Sequence, residues 1–371
     1  MQDYVLWGGI FFAGFVILVL AIVFIVRKIS KFPIIVNITK GKRRSACLLS
    51  LSFTALFFVI LTLFMGMVTA AITVINILGI WLLADLINLI FGRKLKEETV
   101  FVTSLILTTI YLCICYFICV NVVETHYSVT TDKDIGSLRI VQFADSHLGT
   151  VFDGKELERY VEEINLLNPD VVVITGDFID DNSTREDMVD GCAALSELET
   201  EYGVYFCFGN HDKGYSDDSH RGYTAEDFTE ELKKNGVVVL QDECVLIDNR
   251  FYIVGRKDKS SESREDGREN IAELIAPLDS SKYIAVLDHQ PTDYDNEAST
   301  AADLVLSGHT HGGQMFPMNY IALLMGVNDS AYGMEHRNGT DFIVTSGIAD
   351  WEFIFKSGCI SEYVVIDVLP C

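Results

Sequence analysis

Residues 303–317 read DLVLSGHTHGGQMFP. An apolar run stops at Ser307, and His309 and His311 follow with glycine on both sides. Two imidazoles one residue apart suit a metal site, although polar loops contain such pairs too. The same ending recurs after four other apolar runs: Asp145 and His147 follow LRIVQF, Asp177 and Asp180 follow VVVITG, Asn210, His211 and Asp212 follow VYFCFG, and Asp288 and His289 follow YIAVL. The carboxyl ends of parallel strands open onto the ligand crevice of an α/β sheet. Five such endings therefore deliver carboxylate, amide and imidazole groups toward one place. That donor set suits borderline divalent ions such as Mn, Fe or Zn. It contains no thiolate, which argues against a closed structural zinc site. Gly176, Gly209, Gly308, Gly312 and Gly313 flank the candidates and permit the tight backbone that such a site needs. Asp180, Asp212 and Asp288 read equally well as turn or supporting residues.

The elements that must position these groups alternate. The five apolar runs are strand-length and rich in Val, Ile and Phe. Between the first two, Leu157, Tyr160, Val161 and Ile164 recur at helical spacing before the stop at Pro169. REDMVDGCAALSELE, AEDFTEELKKNG and ENIAELIAPL predict further helices, and RFYIVG, DFIVTSG and EYVVIDVL further strands. The pattern predicts a layered α/β domain over residues 138–371.

The first third of the chain is different. Long apolar runs predict four membrane helices at about 5–26, 46–66, 68–91 and 100–123. MQDY lacks the basic start of a cleaved leader, so the first run reads as an anchor. A linker is expected over 124–137. Residues 1–123 carry ten Lys and Arg against four Asp and Glu; the remainder carries 18 against 48. Seven of the basic residues lie in the first inter-helix loop and three in the third. The positive-inside rule then places both loops in the cytoplasm and the acidic domain outside it. So acidic a domain is not expected to bind nucleic acid. Asp85, the only charged residue between Ala46 and Phe91, lies within a few turns of Arg93 and Lys94 and reads as partly solvated or locally paired rather than as a transport residue. The nine cysteines form no CxxC pair and read as buried free thiols.

In order, DSH at 145–147, GDFID at 176–180, GNHD at 209–212, His289 and GHTH at 308–311 resemble the five signature motifs of the calcineurin-like metallophosphoesterases. DHQP and SGHTHGGQ look most like the bacterial subgroup related to UDP-2,3-diacylglucosamine hydrolase. The resemblance implies a four-layer αββα sandwich and two divalent metal ions. Asp145, His147 and His311 would hold one ion, Asn210, His289 and His309 the other, and Asp177 would bridge them. His211, oriented by Asp212, would serve the leaving oxygen as general acid or charge stabiliser. Arg221 is a weak candidate for a substrate arginine.

Three functions compete. The first is a membrane-anchored phosphoesterase acting on a lipid-linked phosphate ester or pyrophosphate. The second uses the helices only as an anchor and acts on a soluble nucleotide or phosphomonoester. The third is a membrane receptor that binds phosphate without turnover; the complete ligand set argues against it. The apolar stretch 313–327 distinguishes the first two, as either a lipid-facing lip or ordinary core.

Overall fold

The computed structural model describes residues 2–214, 218–263 and 267–371. It forms two compact units, Met1–Ile114 and Cys115–Cys371. The first is helical: α1 (Gln2–Ile29), α2 (Pro33–Ile38), α3 (Arg43–Met65), α4 (Met67–Ile90) and most of α5 (Glu97–Val120). Four of these, α1 and α3–α5, are long and apolar enough to cross a membrane. Gly66, at φ +80°, is the only residue between α3 and α4. Glycine adopts that backbone without a Cβ penalty, so the chain reverses in one step. Phe24, Phe32, Trp81 and Phe101 pack ring against ring in the core of this unit. Asp85 is paired, but its partner is Lys28 of α1, at 2.6 Å, rather than Arg93 or Lys94. Lys28 also reaches Glu97 at 2.7 Å, so one cation serves two carboxylates near the helix ends.

The second unit contains two six-stranded mixed sheets. One runs β1 (Val123–Thr131), β12 (Glu362–Pro370), β2 (Leu138–Phe143), β3 (Val171–Thr175), β4 (Val204–Cys207) and β5 (Val237–Val239). The other runs β10 (Gly333–Arg337), β11 (Thr340–Val344), β9 (Leu304–Ser307), β8 (Tyr283–Leu287), β7 (Phe251–Gly255) and β6 (Glu243–Ile247). β2 to β5 are mutually parallel, as are β7, β8, β9 and β11.

Side-chain alternation builds the layers. Ile140, Val171, Val173 and Cys207 of the first sheet meet Ile253, Ala285, Leu304 and Ile343 of the second in one core. The other face of the first sheet, including Val141, Val172 and Phe206, packs under α6 (Leu157–Asn165), α7 (Arg185–Leu195) and, after the short α8 (Asp218–Arg221), α9 (Ala225–Lys234). The outer face of the second sheet packs under α10 (Ile271–Ile275) and α11 (Tyr294–Glu297). The order is helix, sheet, sheet, helix. Thr184 with Asp187 and Thr224 with Asp227 form capping boxes that start α7 and α9.

Three expectations need correction. The segment expected to be a linker contains β1, a nine-residue strand parallel to β12. Its outer residues are polar and exposed, as an edge strand allows, so its alternation resembled a tether. The boundary between the units lies inside α5, after Ile114, rather than at 123. None of the nine cysteines is in a disulfide, but Cys113, Cys244 and Cys371 are exposed rather than buried.

Candidate metal centre

The two sheets place the predicted strand ends side by side. Asp145, His147 and His311 bring one ligand atom each within 4.8 Å of one another, and Asp177, His289 and His309 form a second such group. Asp177 lies between them: its Oδ2 is 3.0 Å from His289 Nε2 and 3.8 Å from His147 Nε2. Asn210 joins the second group, with its Oδ1 3.2 Å from His289 Nε2.

The backbone is bent to make this possible. Asp145, His147, Asp177, His309 and His311 all have positive φ, between 37° and 72°. Such backbone costs a non-glycine residue about 1–3 kcal/mol and persists where the surroundings enforce it. Hydrogen bonds supply the enforcement. Asp212 accepts from the amides of Asp177 (2.8 Å), Phe178 (2.9 Å), Ile179 (3.2 Å) and Gly209 (2.7 Å). Asp212 thus clamps the loop that carries Asp177, and its described bonds go to backbone rather than to the His211 ring. Gly209 tolerates no side chain, since a Cβ there would press into the Asp177 carboxylate.

The electrostatics fit divalent cations. His147 is fully buried, yet neither ring nitrogen has a hydrogen-bond partner; its Nδ1 is 3.5 Å from Asp180 Oδ2. A buried imidazole with two idle nitrogens is costly unless a ligand completes it. His289 uses Nδ1 on the Thr175 carbonyl at 2.7 Å, which leaves Nε2 facing Asp177, the usual arrangement around a metal-binding histidine. Burial disfavours the charged form of His289, but the Asp177 carboxylate outweighs it and raises its pKa well above the ordinary value. A proton there does part of the work that a cation would do. Burial pushes His211 down to about 4, so its ring is neutral near pH 7. His211 lies beside both His147 and Trp351, with ring centroids 5.1 Å apart in each case.

Other predicted residues have supporting positions. Asp180 faces His147 and also accepts the amides of Asn182 and Ser183. Asp288 is held by Arg256 at 2.8 Å and by Arg268. Arg256 also reaches Asp293 and Glu297, so the residue before His289 sits in a buried network of two guanidiniums and three carboxylates, in which burial and the Asp288 charge raise the Glu297 pKa well above the ordinary value. Arg221 is buried, donating to the carbonyls of Tyr223 and Asp212 at 3.2 Å each; it braces the GNHD loop.

Sequence reasoning missed Asp350 and Lys356. Asp350 Oδ1 lies 3.1 Å from His311 Nδ1 and 3.4 Å from the fully buried Lys356 Nζ. The Lys356 ammonium also donates to the Ser346 carbonyl at 2.7 Å. His311 Nδ1 has its hydrogen bond to the Ala349 carbonyl at 3.3 Å, and the Asp350 carboxylate lies beside it; groups of this kind behind a metal-binding histidine fix the ring. Asp350→Asn is therefore expected to weaken metal retention about 10- to 100-fold, read by titrating the chain with chelator. Unchanged retention would show that the pair serves the fold alone. The signal was a further strand end: Asp350 closes the TSGIAD stretch after β11.

The profile of the calcineurin-like phosphoesterases matches residues 138–313. A metallophosphoesterase of Aquifex aeolicus is 31% identical over 227 residues, which is 60% of this chain and 82% of that one. A Campylobacter jejuni metallophosphoesterase is 28% identical over 299 residues, covering 78% of this chain and 76% of its own. A zebrafish (Danio rerio) transmembrane protein with a metallophosphoesterase domain is 31% identical over 205 residues, 52% of this chain and 44% of that one.

Proposed function

This chain belongs to the calcineurin-like metallophosphoesterase family, and from that premise we propose a membrane-anchored phosphoesterase that acts on a lipid-linked phosphate ester or pyrophosphate outside the cytoplasm. The observation that carries the catalytic reading is the convergence of two three-residue ligand groups on the Asp177 carboxylate. Asp145, His147 and His311 would hold one divalent ion; Asn210, His289 and His309 would hold the other, with Asp177 between them. Bound there, such ions neutralise phosphoryl oxygens and acidify water. The protein's own groups do the rest. The Asp212 clamp fixes the Asp177 loop, the Ala349 and Thr175 carbonyls orient His311 and His289, with Asp350 beside His311, and the neutral His211 ring presents an N–H to the leaving oxygen.

The lipid-linked substrate is supported by two features of the chain: four helices long and apolar enough to cross a membrane, and an exposed apolar segment directly after the last metal motif. The full chain, loaded with Mn, is expected to hydrolyse a lipid diphosphate with kcat/KM at least about tenfold above any soluble nucleotide or phosphomonoester, the ~1.4 kcal/mol that a modest share of acyl-chain binding supplies. Preference for a soluble nucleotide would make the helices a mere anchor. The outward orientation follows from ten basic residues in two loops. A UDP-sugar lipid would be met on the cytoplasmic face, so this orientation favours a lipid-linked phosphate over a nucleotide-lipid. Protease added to intact cells is expected to remove the catalytic unit; protection until lysis would reverse the orientation and restore the nucleotide-lipid.

A further inference from the structure

The stretch from Gly313 to Asn328 contains no Lys, Arg, His, Asp or Glu. Its helix α12 (Met318–Leu324) has no buried residue. Phe316, Tyr320, Leu324 and Met325 all face outward; Leu324 is 88% exposed and Phe316 63%. Single exposed apolar side chains are ordinary, but a contiguous run of this kind marks an interaction surface.

What covers it is indicated by how its root is held. Gln314 accepts at its carbonyl from the Ser357 amide (2.8 Å), and the Phe316 amide donates to Ser357 Oγ (3.0 Å). The segment 356–361 is in turn tied to the end of α5. The Lys356 amide donates to the Cys115 carbonyl (3.2 Å), the Ser361 amide to Ile118 (3.3 Å) and Ser361 Oγ to Cys119 (2.7 Å). Ile118 and Cys119 are among the last carbonyls of α5, which have no partner within their own helix. Residues 356–361 therefore cap a helix whose span, Glu97–Val120, is long and apolar enough to cross a bilayer. The residues joined by these bonds, Cys115, Ile118 and Cys119 at the helix end and 314–361, belong to the second unit. Near the same helix end, Tyr116 and Phe117 are exposed.

We infer that Phe316–Met325 lies in the interfacial layer of the bilayer that α5 crosses, with its apolar side chains among the acyl chains. The inference rests on the membrane-anchored reading above and adds to it a contact surface beside the metal-binding loop. Tyr320 stands edge-on to Phe316, with ring centroids 6.1 Å apart; aromatic side chains of this kind favour the membrane–water boundary. Because the segment carries no charge, its attachment is hydrophobic and needs no anionic lipid. The phosphate of an amphiphile lying in that leaflet would then meet the centre without leaving the membrane.

The test uses the full chain in phosphatidylcholine nanodiscs, with and without bromine on the acyl chains. Leu324→Trp and, as a reference, Leu166→Trp each add one indole at an exposed leucine; Leu166 is 81% exposed. The emission added by Leu324→Trp is expected to fall by about half or more with brominated lipid, as for a residue at the acyl boundary, while that from Leu166→Trp does not fall. Blue-shifted emission that bromine does not quench would assign the surface to a second copy or a protein partner. Emission typical of water and left unquenched would leave it bare. Either result overturns the inference. The readout does not depend on turnover, so an active enzyme without quenching refutes the membrane contact alone, and an inactive chain with quenching refutes the phosphoesterase reading alone.

Discussion

Asp177→Asn is expected to strip bound metal and to lower kcat/KM for phosphoester hydrolysis by about three orders of magnitude or more, because the loss of several kcal/mol of charge stabilisation converts at tenfold per 1.4 kcal/mol. The substitution keeps the side chain's size. The Asp177 amide still meets Asp212 at 2.8 Å, and the amide oxygen can still accept from the His211 amide, as Oδ1 now does at 2.8 Å. What goes is the one negative charge shared by both ligand groups, 3.0 Å from His289 Nε2 and 3.8 Å from His147 Nε2. In its place an NH₂ group would face histidine nitrogens that then need a different proton or cation arrangement. Elemental analysis of the purified variant reads the metal, nitrophenyl phosphate reads the activity, and thermal unfolding verifies the fold. Two ions per chain with full activity would remove Asp177 from the centre.

The strands that carry the candidate ligands were legible in the sequence for a physical reason. A parallel strand covered on both faces must be apolar at successive positions, so the first polar residue marks its carboxyl end. β3, β4, β8 and β9 follow this rule to within a residue of their ends, β2 departs from it at Arg139 and Gln142, and Asp145, Asp177, Asn210, Asp288 and His309 follow the five strands closely. The edge strands were less readable. β5 has three residues, and β1 and β10 alternate with one solvated face. Their pairing is decided by the neighbouring strand rather than by their own composition. Long-range charge partners left no local trace. Arg256 and Arg268 stand in the polar strings GRKD and DGRE, which carry no sign that both guanidiniums are buried against Asp288. Lys356, in an unremarkable FKSG, is fully buried because Asp350 and two carbonyls receive its ammonium. The left-handed backbone at five candidate ligand positions was likewise invisible, since Asp and His adopt it only where surrounding bonds compel it.

His211→Ala separates binding from chemistry. His211 is in neither ligand group, and the backbone N–H that meets Asp177 Oδ1 survives in alanine. Metal content should therefore match the parent chain. The imidazole, by contrast, sits between His147 and Trp351, where it can reach a leaving oxygen. Burial keeps it neutral, with its pKa pushed down to about 4, and bound cations would act in the same direction. Its contribution is thus an N–H directed at charge that builds up as the ester bond breaks. Losing such a partner costs about 10²- to 10⁴-fold in rate. The cost must grow with the charge on the leaving group. A nitrophenyl ester, whose leaving oxygen is already stable as an anion, should lose least; an alkyl phosphate should lose most. kcat measured across a series of leaving groups on metal-matched samples gives the slope. A small loss, equal for nitrophenyl and alkyl esters, would show that His211 packs beside the centre without touching the departing oxygen. A steeper dependence in the variant than in the parent chain identifies the ring as the group that stabilises it.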